Sequence, residues 1–157
     1  PTGALMVPDG RTAFVALRHT SKLRPVTWTK SGGIRLSDPI DTCDQPEELA
    51  ILRRERRGVV RCKRGRALAI FDLETGARVH TVELNAPAAD MVVTPDGEQI
   101  VVALPSAQGG AVALVDAETF EVEIVPLTEP PTRVRLSVDG DSVLALSDRS
   151  KVAWVLR

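Results

Sequence analysis

There is no tyrosine in this chain, and aromatic residues of every kind make up only 3% of it. A surface that stacks nucleobases or sugar rings needs such residues, so recognition of that kind loses support at the outset. Histidine occurs twice, at His19 and His80, and neither stands at ligand spacing from cysteine, aspartate or a second histidine. That argues against a metal site, haem attachment and a histidine-based triad. Cysteine also occurs twice, and Cys43 and Cys62 form neither a CxxC pair nor a disulfide framework. They read as buried or half-buried thiols, which favours a reducing, cytoplasmic setting.

Charge of one sign is missing as well. The formal net charge of −1 gives no bulk attraction to nucleic acid, membrane or a polyacidic substrate. No apolar run approaches the roughly 18 residues that cross a bilayer, and the opening residues resemble neither a signal nor a transit peptide. Ser21, Ser31 and Ser106 lack a GxSxG context, and neither "SGG" (31–33) nor "QGG" (108–110) continues into a phosphate-binding GK[ST]. No cofactor, metal or catalytic signature is found, so the expectation is a protein that is not an enzyme.

What is present is repetition. "LMVPDGRTAFVAL" (5–17) returns as "VVTPDGEQIVVAL" (92–104), and "VRLSVDGDSVLALS" (134–147) repeats the phrase 43 residues later. A further copy, "QPEELAILRRERRGVVRC" (45–62), keeps the apolar positions but replaces Pro-Asp-Gly with Arg54-Glu55-Arg56. "ALAIFDLETG" (67–76) likewise aligns with "AVALVDAETF" (111–120), setting Asp72 on Asp116. Repeats of forty-odd residues imply a solenoid or propeller, because one unit cannot bury its own apolar face.

Each copy divides into runs of four to seven residues rich in Val, Ile and Leu and bounded by Gly, Pro or Asp, which read as strands. Innermost strands are expected near 5–7, 49–52, 91–94 and 134–137, and second strands near 12–17, 58–63, 99–104 and 142–147. Third strands follow near 23–28, 67–71, 111–115 and 151–156, and outer strands near 34–36, 78–84 and 121–127. The expected fold is all-β, a β-propeller of about four four-stranded antiparallel blades. A single domain over 1–157 would hold repeats near 1–45, 46–86, 87–130 and 131–157. A lone arc would leave strand edges open, so a segment of a larger propeller is expected, with further blades from the same or another chain as partners. The core is expected at Ile51, Val60, Ile70, Val92, Ile100, Val102, Leu114, Leu136 and Leu144.

"TPDGEQIVVALPSAQGGAVALVDAETFEVEIV" resembles a bacterial YVTN-type propeller repeat, with its S/T-P-D-G turn and its V-x-V-I-D-x-x-T run. "LAIFDLETGARVHTVEL" and "LALSDRSKVAWVLR" are similar to WD40-type blades, with an Asp closing the third strand. The pattern departs from both, having no GH dipeptide, no Trp-Asp pair and no YVTN tetrad. The WD40 resemblance implies a scaffold that binds a protein or peptide through its rim loops. The YVTN resemblance implies the alternative, an exported periplasmic or secreted propeller that is the sensor or accessory part of an enzyme. Lactonase or dehydrogenase relatives of that kind bring His, Asp or Glu from several blades to a channel, and too few such residues fall on the innermost strands here.

Turn residues have an architectural reading. In Asp9-Gly10, Asp96-Gly97 and Asp139-Gly140 the Asp bonds the backbone and the Gly takes positive φ. Asp72 and Asp116, each three residues before a Thr, are expected to cap the turn after the third strand. The feature left over is "RRERRGVVRCKRGR" (53–66), eight positive residues with one Glu. As a linear run it suggests a phosphate or nucleic-acid patch, but on a blade it divides. Arg53, Arg54, Arg56 and Arg57 would occupy one rim and Arg64 and Arg66 the other, separated by a strand of roughly 17–20 Å. Arg61 and Lys63 alternate with Val60 and Cys62 and should face away from the apolar side. Without aromatics among them, these two patches fit plain solvated surface first, an acidic protein partner next and nucleic acid least.

Overall fold

The computed structural model describes residues 1–52 and 56–157. Strands account for nearly all of its regular structure, in four antiparallel sheets whose strands neighbour one another in chain order. The first holds β1 (Gly3–Met6), β2 (Thr12–Leu17), β3 (Lys22–Trp28) and β4 (Ile34–Leu36), with β5 (Ile40–Asp41) also on β3. The second holds β6 (Pro46–Leu52), β7 (Arg57–Cys62), β8 (Ala67–Asp72) and β9 (Arg78–Glu83). The third comprises β10 (Asp90–Val93), β11 (Gln99–Ser106), β12 (Gly109–Asp116) and β13 (Val122–Leu127). The fourth comprises β14 (Arg133–Leu136), β15 (Val143–Ser147) and β16 (Val152–Leu156). Each is the four-stranded meander of a propeller blade or close to it. A 3-10 turn spans Arg18–Thr20, and among the described residues no helix is long and apolar enough to cross a membrane.

The chain divides into two compact units, one of Pro1–Ile51 with Arg56–Glu83 and the other of Leu84–Arg157 with Leu52. In the first, the core gathers Phe14, Ala16 and Leu23 from the first sheet and Val60, Ala69 and Phe71 from the second. The rings of Phe14 and Phe71 meet edge to face with centroids 5.0 Å apart. In the second, Val101, Ala103 and Val112 pack against Val134 and Ala145.

Burial follows the sequence pattern. "VVRC", "ALAIF" and "IVVAL" are apolar at nearly every position, and their strands β7, β8 and β11 are buried along almost their whole length, as expected of strands covered on both faces. Of the expected core, Val60, Ile70, Ile100 and Val102 are fully buried. Ile51, Val92, Leu114, Leu136 and Leu144 are half-buried.

The first sheet departs from the simple blade. Its outer position is shared by β4, which pairs with β3 at Val26–Trp28, and β5, which pairs with Lys22 and Leu23. Pro25 has no N–H to give the outer strand. The last bond of the β4 side runs from the Ser37 N–H to the Pro25 carbonyl at 3.0 Å, and Asp38 and Pro39 then leave the ladder before β5 resumes it. The extra residues of "SGGIRLSDPID" are thereby accommodated at the edge of the sheet.

Candidate functional site

The basic run is divided by β7. Arg56 precedes this strand, Arg57 begins it, and Arg64 and Arg66 sit in the turn that leads to β8. Arg53 and Arg54 lie outside the described residues. The exposed Arg56 guanidinium faces Glu74 at 3.5 Å. At the other end, Lys63, Arg64 and Arg66 are all exposed. Lys63 pairs with Glu47 at 3.2 Å, whereas Arg64 and Arg66 form no ion pair among the described residues.

This hairpin end is braced. The Lys63 N–H donates to the Gln45 carbonyl at 3.0 Å and the Arg64 N–H to Asp44 at 3.4 Å, so the segment before β6 runs alongside it. Cys43 and Cys62 are joined here in a disulfide with Cα atoms 5.7 Å apart. The reading of both cysteines as free thiols is therefore corrected. Two cysteines 19 residues apart carry no disulfide spacing of their own. What brings them into bonding range is the course of the β5–β6 linker past the end of β7.

Arg61 lies between the core residues Val60 and Cys62 on β7. It points off the apolar side, yet it is only 6% exposed. Its Nε donates to Glu48 at 2.7 Å and an Nη to Glu47 at 2.9 Å, and Glu47 also takes Arg18 at 3.2 Å. Burial alone would raise the Glu47 carboxyl. The Lys63 hydrogen bond and the charges of Arg61, Lys63 and Arg18 outweigh that and hold it below its ordinary value.

A second acid is used similarly in the other unit. Asp90, at the start of β10, accepts from the Val134 N–H at 2.9 Å and from Arg135 at 2.7 Å. The innermost strands thus do carry acids, Glu47, Glu48 and Asp90, and each is engaged in an ion pair. Sequence reasoning missed these pairs because the partners lie on other strands.

The turn aspartates hold backbone. Asp9 accepts the Arg11 and Thr12 N–H groups at 2.8 and 2.9 Å, and those bonds, the Arg11 one foremost, lower its pKa. Asp96 accepts Glu98 N–H at 2.9 Å and Asp139 accepts Asp141 N–H at 3.2 Å. Gly10, Gly97 and Gly140 all take positive φ in these turns. Asp72 accepts Glu74 and Thr75 N–H at 3.0 and 2.7 Å, and Asp116 accepts Glu118 and Thr119 at 2.8 and 2.7 Å. Two of the Pro-Asp-Gly-type turns approach one another: Asp96, Asp139 and Asp141 line a shallow cavity of about 380 Å³. Among the described residues no three His, Cys, Asp or Glu form a group that could hold a metal ion. His19 and His80 are both exposed.

No family model matches this chain, and no curated protein does. Solved structures do match. Hydrazine synthase of Kuenenia stuttgartiensis superposes with a TM-score of 0.78 at 17% identity, covering 100% of this chain and 49% of that one. A proposed 6-phosphogluconolactonase of Bacteroides uniformis gives 0.77 at 16% identity over 98% of this chain and 49% of its own. A second, from Bacteroides fragilis, gives 0.74 at 15% over 97% and 49%. Identity at this level speaks to fold alone, and the chain spans about half the length of the structures it matches. It has the β-propeller fold.

Proposed function

We propose that this chain is a non-enzymatic propeller scaffold that docks an acidic protein segment on its rim, at the β7–β8 hairpin end. One observation carries the reading: Arg64 and Arg66 are exposed, have no anionic partner among the described residues, and stand on a turn braced by the disulfide and by the Gln45 and Asp44 carbonyls. A fixed pair of cations loses less freedom on binding a carboxylate than one on a mobile loop. Rim charges of this kind act mainly on encounter rate and salt dependence. Arg56 and Arg57 belong to the opposite end of β7 and would serve a separate contact. The turns that repeat through the chain fit a YVTN-type or WD40-type blade equally.

Binding of a fluorescent peptide containing six consecutive glutamates, followed by anisotropy, tests the hairpin. Arg64→Glu with Arg66→Glu should weaken it at least tenfold and flatten its salt dependence. Equal binding by the variant would remove the hairpin from the interface.

The disulfide also supports the exported setting of the alternative reading over the reducing one, since structural disulfides persist in oxidising compartments. In that reading the chain is the sensor or accessory part of an enzyme. Its likeness to proposed 6-phosphogluconolactonases supports this. Hydrolysis of 6-phosphogluconolactone by the complete protein would favour it over the scaffold.

A further inference from the structure

The tip of the β11–β12 hairpin, where Ser106 pairs with Gly109, stands between two cavities that share Ser106 as a wall. All the residues that line them belong to the second compact unit. The first cavity, of about 400 Å³, is lined by Pro105, Ser106, Ala107, Pro130, Thr132 and Arg149. The second, of about 380 Å³, has an aliphatic lining that includes Leu104, Ile124 and Leu127, together with the amides of Asn85 and Gln108. Both fall within the size range of ligand clefts.

Arg149 is the only charged residue that lines either cavity. It is exposed and has no anionic partner among the described residues. Its chain neighbour Asp148 is already engaged, accepting the Thr132 hydroxyl at 2.9 Å and pairing with Arg133 at 3.3 Å. The Arg149 guanidinium therefore offers its N–H fork to one incoming anion, and the planar match for that fork is a carboxylate. A phosphate dianion would find a single positive charge there, with the acid Asp148 beside it in the chain.

The second cavity holds no charge but carries two amides. Neither the Asn85 nor the Gln108 side chain has a hydrogen-bond partner among the described residues. A side-chain amide both donates and accepts, which complements a peptide group. Ser106, between the cavities, accepts the Gln108 N–H at 3.3 Å and keeps its own O–H to donate. The walls are fixed in advance. Pro105 and Pro130 have constrained backbones, and a Cβ on Gly110 would run into Pro131, so the start of β12 lies tight against the Pro130–Pro131 segment. A site with its walls already set loses little freedom on binding.

We propose that the β11–β12 hairpin tip binds the C-terminus of a peptide. The free carboxylate pairs with Arg149, an apolar side chain upstream fills the cavity of Leu104, Ile124 and Leu127, and the Asn85 and Gln108 amides hold the backbone. Charge complementarity selects this occupant, because one cation asks for one negative charge and the remaining lining is aliphatic or neutral. The site shares no residue with the β7–β8 hairpin, which belongs to the other unit.

Fluorescence anisotropy on the complete native protein tests the inference, with a fluorescein-labelled pentapeptide of sequence GGLAL as free acid and as C-terminal amide. The acid should bind at least tenfold more tightly than the amide, the scale of one charge-assisted pair. Arg149→Gln should abolish that difference, and Arg149→Lys should keep part of it. Ile124→Asp should weaken acid and amide alike. Both residues are exposed, so these variants should keep the native melting temperature. Arg64→Glu with Arg66→Glu should change neither peptide. Equal binding of acid and amide, a preference for the acid that survives Arg149→Gln, or no saturable binding of either up to about 1 mM would each overturn the proposal.

Discussion

At Gly76 the backbone is left-handed, with φ +74°. Phe120 occupies the corresponding place in the third sheet at φ +61°, so the conformation alone does not demand glycine. Packing does, because a Cβ on Gly76 would run into Ile40 Cδ1 and lie 3.1 Å from the Phe14 ring. Left-handed strain and overpacking together predict that Gly76→Ala costs about 2–4 kcal/mol in urea unfolding. A loss under half a kcal/mol would mean that Ile40 moves aside freely. Arg61 presents the opposite case, a polar group that must not be removed. Arg61→Met leaves Glu47 with Arg18 and Lys63 but takes from Glu48 its 2.7 Å partner, and the expected cost is about 2–3 kcal/mol. Because the two side chains are coupled, Arg61→Met with Glu47→Met should cost less than the sum of the single changes. Simple additivity would show that the pair contributes nothing.

The elements owe their positions to two kinds of information, one local and one not. Along the β5–β6 linker and β7, the Cys43–Cys62 bond closes a loop between residues 19 apart. On the chain-entropy account its loss in Cys43→Ser with Cys62→Ala should cost about 3 kcal/mol. The native protein should show no free thiol in a titration without reductant, and two thiols per chain would refute the bond. The turns beside these strands were legible in sequence because their chemistry is contained within five or six residues. Thr94 and Ser137 even show its logic. Each hydroxyl bonds both its turn's Asp and the backbone five residues on, and where Val7 lacks a hydroxyl, Thr12 supplies one to Asp9 at 2.8 Å. The disulfide, the Arg61 pairs and Asp90–Arg135 were not legible. Their partners lie between 13 and 45 residues apart, and only the docking of one strand beside another brings them together. Alternation could say that Arg61 leaves the apolar face, but not that two carboxylates await it there. For the first outer position the sequence placed a strand near 34–36 and did not show that β5 would share it. The cause of the split is Pro25, which cannot donate to an outer strand.

Across the whole molecule, carboxylates act chiefly as acceptors that hold backbone and buried cations, and this determines how the protein responds to acid. Asp72 is lowered first by the Thr75 N–H bond, Asp139 first by the Ser137 hydroxyl, and Asp9 first by the Arg11 N–H. Glu47 is lowered by cations against its burial. A carboxyl whose folded pKa lies below its unfolded one stabilises the fold fully above the unfolded value. That contribution is lost as pH falls through the folded value. With ordinary values of 3.8 for Asp and 4.5 for Glu, the melting temperature should be level with respect to these groups above about pH 5.5 and fall steadily below about pH 4.5. Three of the four depend first on hydrogen bonds and not on distant charge, so about 1 M salt should leave most of the slope intact. Glu47→Gln should reduce the slope by its own share and make the remainder still less sensitive to salt. A melting temperature that rises on acidification from pH 5 to 3, or a slope abolished by salt, would mean that the turn carboxylates are as free in the fold as in the unfolded chain.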